Sequence, residues 1–261
     1  MTAPALSIAG LRVAYGPQVV LDDVSFDVAD GEFVSVLGPS GSGKSTLLGV
    51  LTGGVAAQAG ALAVRGEPVH RLDPAAFAYM PQTDVLLPWR RVIDNATLGL
   101  EARGVRRARA RETVAPMFAE FGIAGTERLY PAQLSGGMRQ RVALLRTVAQ
   151  HRGLLLLDEP FGALDAITRA ELQRWIVGMW ERHRWTVVLI THDIREAILL
   201  SDRVLVLSQK PARVLEDIRV PREGHRTEEF LHRPDIAAIE SRLLGALLPA
   251  ASTTGTGPAP C

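Results

Sequence analysis

The sequence predicts an α/β fold in which helices cover both faces of a parallel sheet. From residue 154 onward, short apolar segments typical of buried strands alternate with segments typical of helices. Such alternation favours a parallel sheet, because each helix returns the chain to begin the next strand in the same direction. A glycine-rich turn near residue 40 joins an earlier apolar strand to a helix, and a largely helical stretch, residues 92–149, is predicted to be an insertion.

The predicted elements follow from local patterns. Period-two alternation of apolar residues predicts strands and turns over residues 5–37, and a helix is expected from about Lys44 to Leu51. The further predicted strands are 61–64, 77–80, 154–157, 186–190 and 204–207. The further predicted helices are 92–101, 106–121, 137–150, 168–182, 194–200 and 235–248. Residues 251–260 are small and polar and are expected to be frayed.

Length and composition are those of a globular protein. The chain has 261 residues, of which 47% are hydrophobic and 22% charged, enough for a sizeable core. Its net charge of +1 gives no overall attraction to nucleic acid or an anionic membrane. The one cysteine, Cys261, excludes an intrachain disulfide and a cysteine metal cluster. No secretory pattern or bilayer-length apolar segment is visible, so we expect a cytoplasmic protein.

The glycine-rich turn fits the phosphate-binding pattern G-x-x-x-x-G-K-[ST]. Its residues, with the next helical residue, are Gly38, Pro39, Ser40, Gly41, Ser42, Gly43, Lys44, Ser45 and Thr46. Glycines let backbone N–H groups surround phosphates, and the helix N-terminus adds positive potential. Lys44 would reach the phosphates and Ser45 would offer its hydroxyl to Mg²⁺. The pattern predicts nucleoside triphosphate binding without separating ATPase from kinase; no guanine-reading N/T-K-x-D element is present.

Two adjacent carboxylates, Asp158 and Glu159, end the apolar strand that begins at residue 154. Because successive side chains of a strand point in opposite directions, the two acids can take separate roles. We expect Asp158 to hold Mg²⁺, directly or through a water, and Glu159 to act as the general base on the attacking water. The alternative is a pair of exposed acids at a strand end.

Between these elements lies Leu134-Ser135-Gly136-Gly137-Met138. Here the chain resembles the ATP-binding subunits of ABC transporters, whose signature is LSGGQ. The resemblance covers about residues 5–220. It implies a P-loop NTPase fold: a RecA-like core, an antiparallel β subdomain and a helical subdomain inserted at about residues 88–150. Residues 221–261 would then form a C-terminal helix and a flexible tail.

The resemblance also implies roles for single residues on the nucleotide. Tyr15 matches the aromatic residue that stacks on adenine, and Gln82 matches the glutamine that contacts Mg²⁺ and water. His192 matches the histidine that contacts the γ-phosphate. Without the family, Tyr15 could equally be a core aromatic, Gln82 an ordinary loop amide, and His192 a cap or surface residue.

A second group of residues implies a dimer. Ser135, Gly136 and Gly137 match the signature that closes over the γ-phosphate bound by the opposite subunit, and Asp165 matches the D-loop that communicates between subunits. The resemblance therefore implies a head-to-tail homodimer that closes on two ATP molecules. Met138 replaces the signature glutamine and Gly162 the usual D-loop serine; we expect both changes to affect fine tuning rather than phosphate chemistry.

The stretch Leu86 to Asn95, LLPWRRVIDN, is similar to the LLPW-x-x-V-x-DN of importers for nitrate, sulfonates, taurine and pyrimidine precursors. Within this group, the branch for hydroxymethylpyrimidine-like solutes is favoured by the sequence Leu144-Leu145-Arg146-Thr147. The implied partners are a separate membrane permease and, indirectly, a periplasmic or extracellular solute-binding protein, with this chain peripheral on the cytoplasmic side. Leu86, Leu87 and Trp89 form either a groove for a permease helix or local core.

Two alternative functions remain at this stage. One is a non-transport ABC ATPase acting on nucleic acid or ribosomes, and the other is the ATPase of an exporter. The length leaves no room for tandem cassettes or long coiled coils, and the LPW stretch and the lack of fused membrane helices favour an importer. The arginines between Arg103 and Arg111 are expected to form a solvated helix face, so nucleic acid is not an expected partner.

Overall fold

The computed structural model describes residues 3–69, 76–222 and 227–248. Its strands are β1 (Leu6–Tyr15), β2 (Gln18–Val28), β3 (Phe33–Leu37), β4 (Ala59–Val64), β5 (Glu67–Val69), β6 (Phe77–Met80), β7 (Leu154–Asp158), β8 (Val187–Thr191), β9 (Arg203–Leu207) and β10 (Val214–Arg219). Its α-helices are α1 (Lys44–Leu51), α2 (Val92–Ala96), α3 (Leu98–Glu101), α4 (Arg107–Val114), α5 (Met117–Glu120), α6 (Gly136–Val148), α7 (Ala166–His183), α8 (Ile194–Leu200), α9 (Glu228–Leu231) and α10 (Pro234–Leu247).

The strands form two sheets. A four-stranded antiparallel sheet has the order β2-β1-β4-β5, and a six-stranded sheet has the order β10-β9-β3-β8-β7-β6. Strands β9, β3, β8, β7 and β6 are parallel to their neighbours, and β10 joins the edge antiparallel to β9. Hairpin β1–β2 also contacts the larger sheet's edge, where Leu21 bridges to Ala212. The predicted α/β class with a parallel core sheet is confirmed.

The parallel sheet is buried on both faces because its strands are continuous apolar runs. Leu155 and Leu157 of β7 face a cluster built with the helices α2 to α7. Leu154 and Leu156 face the opposite cluster, shared with α1 and the antiparallel sheet. The parallel strands end at one edge, so the residues that follow them are brought together there.

Two predicted helices are each divided in the structure. Residues 92–101 form α2 and α3, separated at Thr97, whose hydroxyl donates to the carbonyl of Asp94 (3.1 Å). Residues 106–121 form α4 and α5, separated by Pro116, which has no N–H to continue the helix. In each case the apolar period carries across the break, so periodicity alone predicted one helix.

The C-terminal part contains two elements that the sequence did not predict. Strand β10 exposes every second side chain (Leu215, Asp217 and Arg219) and mixes apolar with charged residues on both faces, and the short helix α9 precedes α10. Helix α10 packs with α8 and β10 through Ile236 and Leu243, both fully buried. The predicted frayed segment 251–260 and Cys261 lie outside the described residues, and the division at residue 221 stays a prediction. Among the described helices, none is long and apolar enough to cross a bilayer.

Candidate functional site

The phosphate loop connects β3 to α1 and is shaped by a close approach of hairpin β1–β2. Gly43 has a φ of 103°, and a Cβ there would lie 2.9 Å from Leu21 Cδ2 and 3.2 Å from Val20 Cγ1. Only glycine satisfies both the left-handed backbone and this contact. The loop is therefore fixed by the neighbouring strand and by an internal hydrogen bond from the Ser42 N–H to the Pro39 carbonyl (3.1 Å).

Lys44 is a buried cation whose hydrogen-bond partners among the described residues are backbone carbonyls. Its ammonium donates to the carbonyl oxygens of Gly38 (2.6 Å) and Pro39 (3.0 Å). Burial lowers the pKa of Lys44, and the nearby carboxylates of Glu159 and Asp158 oppose that effect. Carbonyls solvate the charge but do not neutralise it, so the site favours an anionic ligand.

Asp158 ends β7 and accepts a hydrogen bond from the Tyr79 hydroxyl (3.3 Å). Burial raises the pKa of Asp158, while the Tyr79 hydrogen bond opposes the rise. The pKa of Tyr79 is raised to about 12 by its own burial and by the carboxylate beside it. Tyr79 was not predicted as a site residue; its position on the strand next to β7 would have been the only indication.

The strand-alternation argument for the two acids is wrong. Strand β7 ends at Asp158, and Glu159 lies beyond it with a φ of 41°, in the left-handed region. Its N–H donates to the carbonyl of Ile190 (2.9 Å), which holds the turn against β8. The two carboxylates do point to separate partners, but the cause is this turn and not the pleat of a strand.

The three residues predicted to be catalytic lie together. Gln82 Nε2 donates to Glu159 Oε2 (3.2 Å), and His192 Nδ1 lies 3.2 Å from Glu159 Oε1. Each comes from a loop that follows a parallel strand: β6, β7 and β8. The Glu159 carboxylate is therefore held between an amide and an imidazole.

The predicted magnesium ligands have suitable chemistry. Ser45 is exposed at the first turn of α1, and Asp158 and Gln82 follow neighbouring strands, so the donors are a hydroxyl, a carboxylate and an amide oxygen, the hard donors that Mg²⁺ prefers. In the described part of the chain, no three His, Cys, Asp or Glu side chains are grouped to hold a metal without other ligands. An ion here would need nucleotide phosphates to complete its coordination.

The signature residues lie at the start of α6, against the D-loop of the same chain. Ser135 caps the helix by accepting from the Met138 N–H (3.3 Å), and a Cβ on Gly137 would lie 2.6 Å from Thr168 Cγ2. Asp165 caps α7 by accepting from the N–H groups of Ile167 and Thr168 (both 3.1 Å). A hydrogen bond from the Thr168 side chain, followed by those from the two N–H groups, lowers the pKa of Asp165. Among the described residues, no hydrogen bond or ion pair joins this group to the phosphate loop.

Tyr15 lies at the tip of hairpin β1–β2 and is 53% exposed, so it is not a core aromatic. The backbone beside it is clamped by Gln58, whose amide accepts from the Ala14 N–H (2.8 Å) and donates to the Ala14 carbonyl (3.0 Å). The same hairpin contacts Gly43 through Val20 and Leu21. A fixed, exposed ring on the hairpin that shapes the phosphate loop suits stacking on a planar base.

The structure accommodates both departures from the family pattern, Met138 in the signature and Gly162 in the D-loop. A Cβ on Gly162 would make only ordinary contacts, 3.6 Å from the Glu159 carbonyl and 3.8 Å from its Oε2, so glycine is not required there by lack of space. Met138 packs against the main core cluster. Neither position contacts the Lys44 ammonium.

A salt-bridged link between the segment that follows Gln82 and helix α6 was not predicted. Arg139 Nε donates to Asp84 Oδ2 (3.0 Å), and the Arg146 guanidinium donates to the carbonyls of Asp84 (2.7 Å) and Val85 (2.8 Å). Arginines at positions i and i+7 of a helix share a face, which was the available indication. The link holds the segment after Gln82 on the signature helix.

Glu196 is a buried carboxyl group in the same neighbourhood, also not predicted. It lines a small cavity with Glu159 and His192, and its Oε1 has no hydrogen-bond partner among the described residues. Burial, with a contribution from Asp193, raises the pKa of Glu196 to about 8. A glutamate three residues after Asp193 has the spacing of a helix-capping pair, and the Glu196 N–H does donate to Asp193 Oδ1 (3.0 Å). The sequence therefore indicated a capping residue and not a buried carboxyl group.

Glu196→Gln is expected to change how stability depends on pH. Between the ordinary pKa of 4.5 and about 8, the unfolded carboxyl is ionised while the folded one keeps its proton. The unfolded state binds fewer protons, so this group makes the free energy of unfolding fall as pH rises, by up to about 1.4 kcal/mol per pH unit. Urea unfolding at pH 5 and pH 7.5 should show the variant gaining stability relative to the unaltered protein at the higher pH. An equal difference at both pH values, as expected for the exposed control Glu181→Gln, would contradict a proton held by Glu196.

Comparison with known proteins gives the family. The sequence model of the family described as "ABC transporter" matches residues 21–162, more than half of the chain. The protein belongs to the ABC transporter family. It is an ATP-binding subunit of that family and an ATPase.

Several relatives of this ABC subunit align over most of its length. The aliphatic sulfonates import ATP-binding protein SsuB of Burkholderia ambifaria is 44% identical, covering 94% of this chain and 72% of the relative. The formylaminopyrimidine import ATP-binding protein ThiZ of Halalkalibacterium halodurans is 41% identical, covering 80% and 82%. The taurine import ATP-binding protein TauB of Yersinia pestis is 39% identical, covering 92% and 96%.

Solved structures show the same cassette fold. The dimeric structure of MJ0796, a bacterial ABC transporter cassette, is similar with a TM-score of 0.70 and 26% identity, covering 83% of this chain and 99% of that one. The structure of cbiO1 from Clostridium perfringens, part of the ABC transporter complex cbiONQ, has a TM-score of 0.75 at 23% identity, covering 93% and 97%; at that identity it bears on the fold alone.

Proposed function

We propose that this ABC ATPase forms a dimer that drives import of a small solute through separate permease subunits at the cytoplasmic side of the membrane. The observation that carries the chemistry is the Glu159 carboxylate, held by Gln82 and His192 on the strand edge that also bears Lys44. The names of relatives at about 40% identity support the import role.

The site residues divide the hydrolysis of ATP between them. Tyr15 stacks on the adenine, and the N–H groups of residues 38–46 with Lys44 bind the phosphates. Glu159 accepts a proton from the attacking water, and His192 and Gln82 keep its carboxylate in place and contact the γ-phosphate and the water. Mg²⁺, held by Ser45 and Asp158 with Gln82 nearby, would neutralise charge that develops on the phosphates.

The dimer supplies what one chain lacks. Ser135, Gly136 and Gly137 lie at a helix N-terminus that is joined to D-loop residues and not to the phosphate loop of its own chain. A helix N-terminus binds anions, so the signature of one subunit closes on the γ-phosphate held by the other. Asp165 fixes the D-loop between the two sites. The known dimeric cassette of the same fold supports this arrangement.

The solute belongs to the group named for the relatives: a sulfonate such as taurine, or a pyrimidine precursor. Identities of 44%, 41% and 39% to relatives with different solutes do not choose among these. An ATP-binding subunit does not contact the solute, so a solute-binding protein and the permease would determine the choice.

Affinity purification tests the transport role. The tagged chain is isolated from detergent-solubilised membranes of its own organism, and the proteins recovered with it are identified by mass spectrometry. Near-stoichiometric recovery of a polytopic permease is expected. Recovery from the soluble fraction alone, bound to DNA or ribosomes, would leave the ATPase standing and contradict the import role.

The permease contact is proposed at the Trp89 loop, residues 86–91. Leu86 is buried in the core and is not part of a groove, whereas Trp89 is 72% exposed. The buried Asn95 side chain fixes the loop: its Oδ1 accepts from the Leu87 N–H (2.7 Å), and its Nδ2 donates to the carbonyls of Leu87 (3.1 Å), Arg90 (3.1 Å) and Arg91 (3.2 Å). A large aromatic exposed on a fixed loop is typical of a binding hot spot.

Trp89→Ala should weaken assembly with the permease about 30-fold, the equivalent of ~2 kcal/mol for a lost hot-spot aromatic. Nucleotide binding should be unchanged, because the loop lies outside the phosphate site. The measurement is co-purification with the permease, alongside fluorescent nucleotide binding. Leu215→Ala is the matched control, since Leu215 is also an exposed apolar residue but lies on β10. Equal recovery of the permease with both variants would make Trp89 a residue of local packing only.

A further inference from the structure

A cavity of about 380 Å³ opens beside the Trp89 loop. Two exposed aromatic side chains, Trp89 and Tyr130, lie on its wall. The remaining lining residues are charged: Arg90, Arg91, Asp94, Arg107 and Arg111. The arginines of α4 keep solvent exposure, as predicted for a solvated helix face, and two of them, Arg107 and Arg111, also converge on this cavity with its aromatic wall.

The arginines of α4 divide into two sets. Arg107 and Arg111, one turn apart, face the cavity and donate to the same carboxylate, Asp94 Oδ1, at 3.1 and 2.8 Å. Asp94 is only 3% exposed, and the two guanidiniums hold its pKa below the usual value although its burial acts to raise it. Arg109 faces away and pairs with Glu112 at the surface (3.1 Å).

The charges in this wall do not balance. Asp94 serves both Arg107 and Arg111, and Glu101 serves Arg90 at 3.0 Å. Arg91 is exposed and has no carboxylate partner among the described residues. Four guanidiniums therefore line the cavity against one carboxylate, and a surplus of two remains when Glu101 behind Arg90 is counted, in a chain whose net charge is only +1. A guanidinium in such a position favours a bidentate carboxylate from a partner.

We propose that this cavity receives an acidic side chain from the permease segment that packs on Trp89. The inference rests on the proposed permease contact and adds its chemistry: an apolar face of the segment against Trp89 and Tyr130, and a glutamate or aspartate that reaches Arg91 and the exposed edges of Arg107 and Arg111. The Asn95 hydrogen bonds fix the loop before binding, so little ordering is required when the two meet.

A nucleic acid is a poorer fit to the same surface. A polyanion needs a stripe of free cations along its backbone, whereas the outward Arg109 is paired with Glu112 and Arg103 donates to the Gln150 carbonyl (2.7 Å). One or two carboxylates on a folded segment match both the size of the surplus and the flanking aromatics.

Charge reversal is the first test. Arg91→Glu breaks no ion pair within the described chain and places like charge where the partner's carboxylate would bind, so recovery of the permease should fall by about ten-fold or more. Arg109→Glu, the matched control on the opposite side of α4, should leave recovery unchanged. Thermal unfolding of each purified variant, followed by circular dichroism, separates loss of assembly from loss of fold.

Zero-length cross-linking identifies the partner group. Arg91→Lys keeps the positive charge and adds a primary amine, which a carbodiimide couples to a carboxylate in direct contact as an amide. Mass spectrometry of the purified complex should find the amine at position 91 joined to an Asp or Glu of the permease. The same amine introduced by Arg109→Lys should give no such product. Reversing the identified permease acid to lysine should restore assembly with Arg91→Glu.

The outcomes keep the two proposals apart. If the unaltered protein recovers no permease, the import role itself fails. If it recovers the permease, and Arg91→Glu does so equally well with no cross-link from position 91, the acidic contact alone is overturned. If nuclease treatment of the unaltered complex abolishes recovery of the permease as Arg91→Glu does, the cavity binds nucleic acid. That result would also overturn the acidic contact.

Discussion

Lys44→Ala should lower ATP turnover by about 10²–10³-fold, the effect of removing one fixed donor that stabilises developing charge. Lys44 is the buried cation of the phosphate loop, and its partners in the described chain are the carbonyls of Gly38 and Pro39. An alanine there leaves those carbonyls without a donor and removes the charge that opposes the phosphates. Nucleotide affinity should fall with turnover, because the contact exists in the ground state as well as in the transition state.

The measurement is steady-state phosphate release, with equilibrium binding of a fluorescent ATP analogue. The sequence has one other lysine, Lys210, which is exposed after β9, so Lys210→Ala is the matched control and should behave as the unaltered protein. Unchanged kinetics in Lys44→Ala would mean that residues 38–45 are not the nucleotide loop.

Glu159→Gln should separate binding from hydrolysis. Turnover should fall by about 10²–10⁴-fold, the contribution of a well-placed general base, since glutamine has the same shape but accepts no proton from the attacking water. ATP binding should persist or tighten, because the change removes a negative charge next to the nucleotide phosphates. With ATP bound and not consumed, the protein should accumulate as a dimer.

Size-exclusion chromatography with light scattering, with and without Mg-ATP, measures that dimer, and a single-turnover assay measures the chemical step. Glu181→Gln, an exposed glutamate near the end of α7, is the control. Normal turnover would exclude Glu159 as the base. Slow turnover without a dimer would instead contradict the closing of the signature over the opposite subunit's ATP.

The sequence predicted the parts of this fold in which local pattern and burial agree. The continuous apolar runs of β3, β7 and β8 have few alternatives to a sheet buried on both faces, and parallel strands bring their following loops to one edge. Gln82, Glu159 and His192 therefore come together wherever the strand order places β6, β7 and β8 side by side. The phosphate loop was predictable from its local glycine pattern, and the structure adds that the contact with β2 is what demands glycine at position 43.

The features that escaped prediction depend on long-range contacts. Strand β10 has a mixed apolar and charged sequence without regular alternation, and its pairing with the edge strand β9 is what makes it a strand. The pairing of Asp94 with Arg107 and Arg111 joins separate helices, so no local period indicates it. Glu196 has the spacing of a capping residue, and its burial follows from the packing of α8 against the loops after β7 and β8.

The left-handed backbone of Glu159 also bears on how this protein would evolve under artificial selection. A non-glycine residue at a φ of 41° holds the folded chain in a conformation that costs of the order of 1 kcal/mol, and glycine adopts it freely. Glu159→Gly would relieve that backbone cost, but it would also lose the contacts with Gln82 and His192 and add conformational freedom to the unfolded chain. A screen for thermal stability alone would therefore exert little net pressure on position 159 in either direction, so a change there in a stabilised library should be checked for uptake before it is kept.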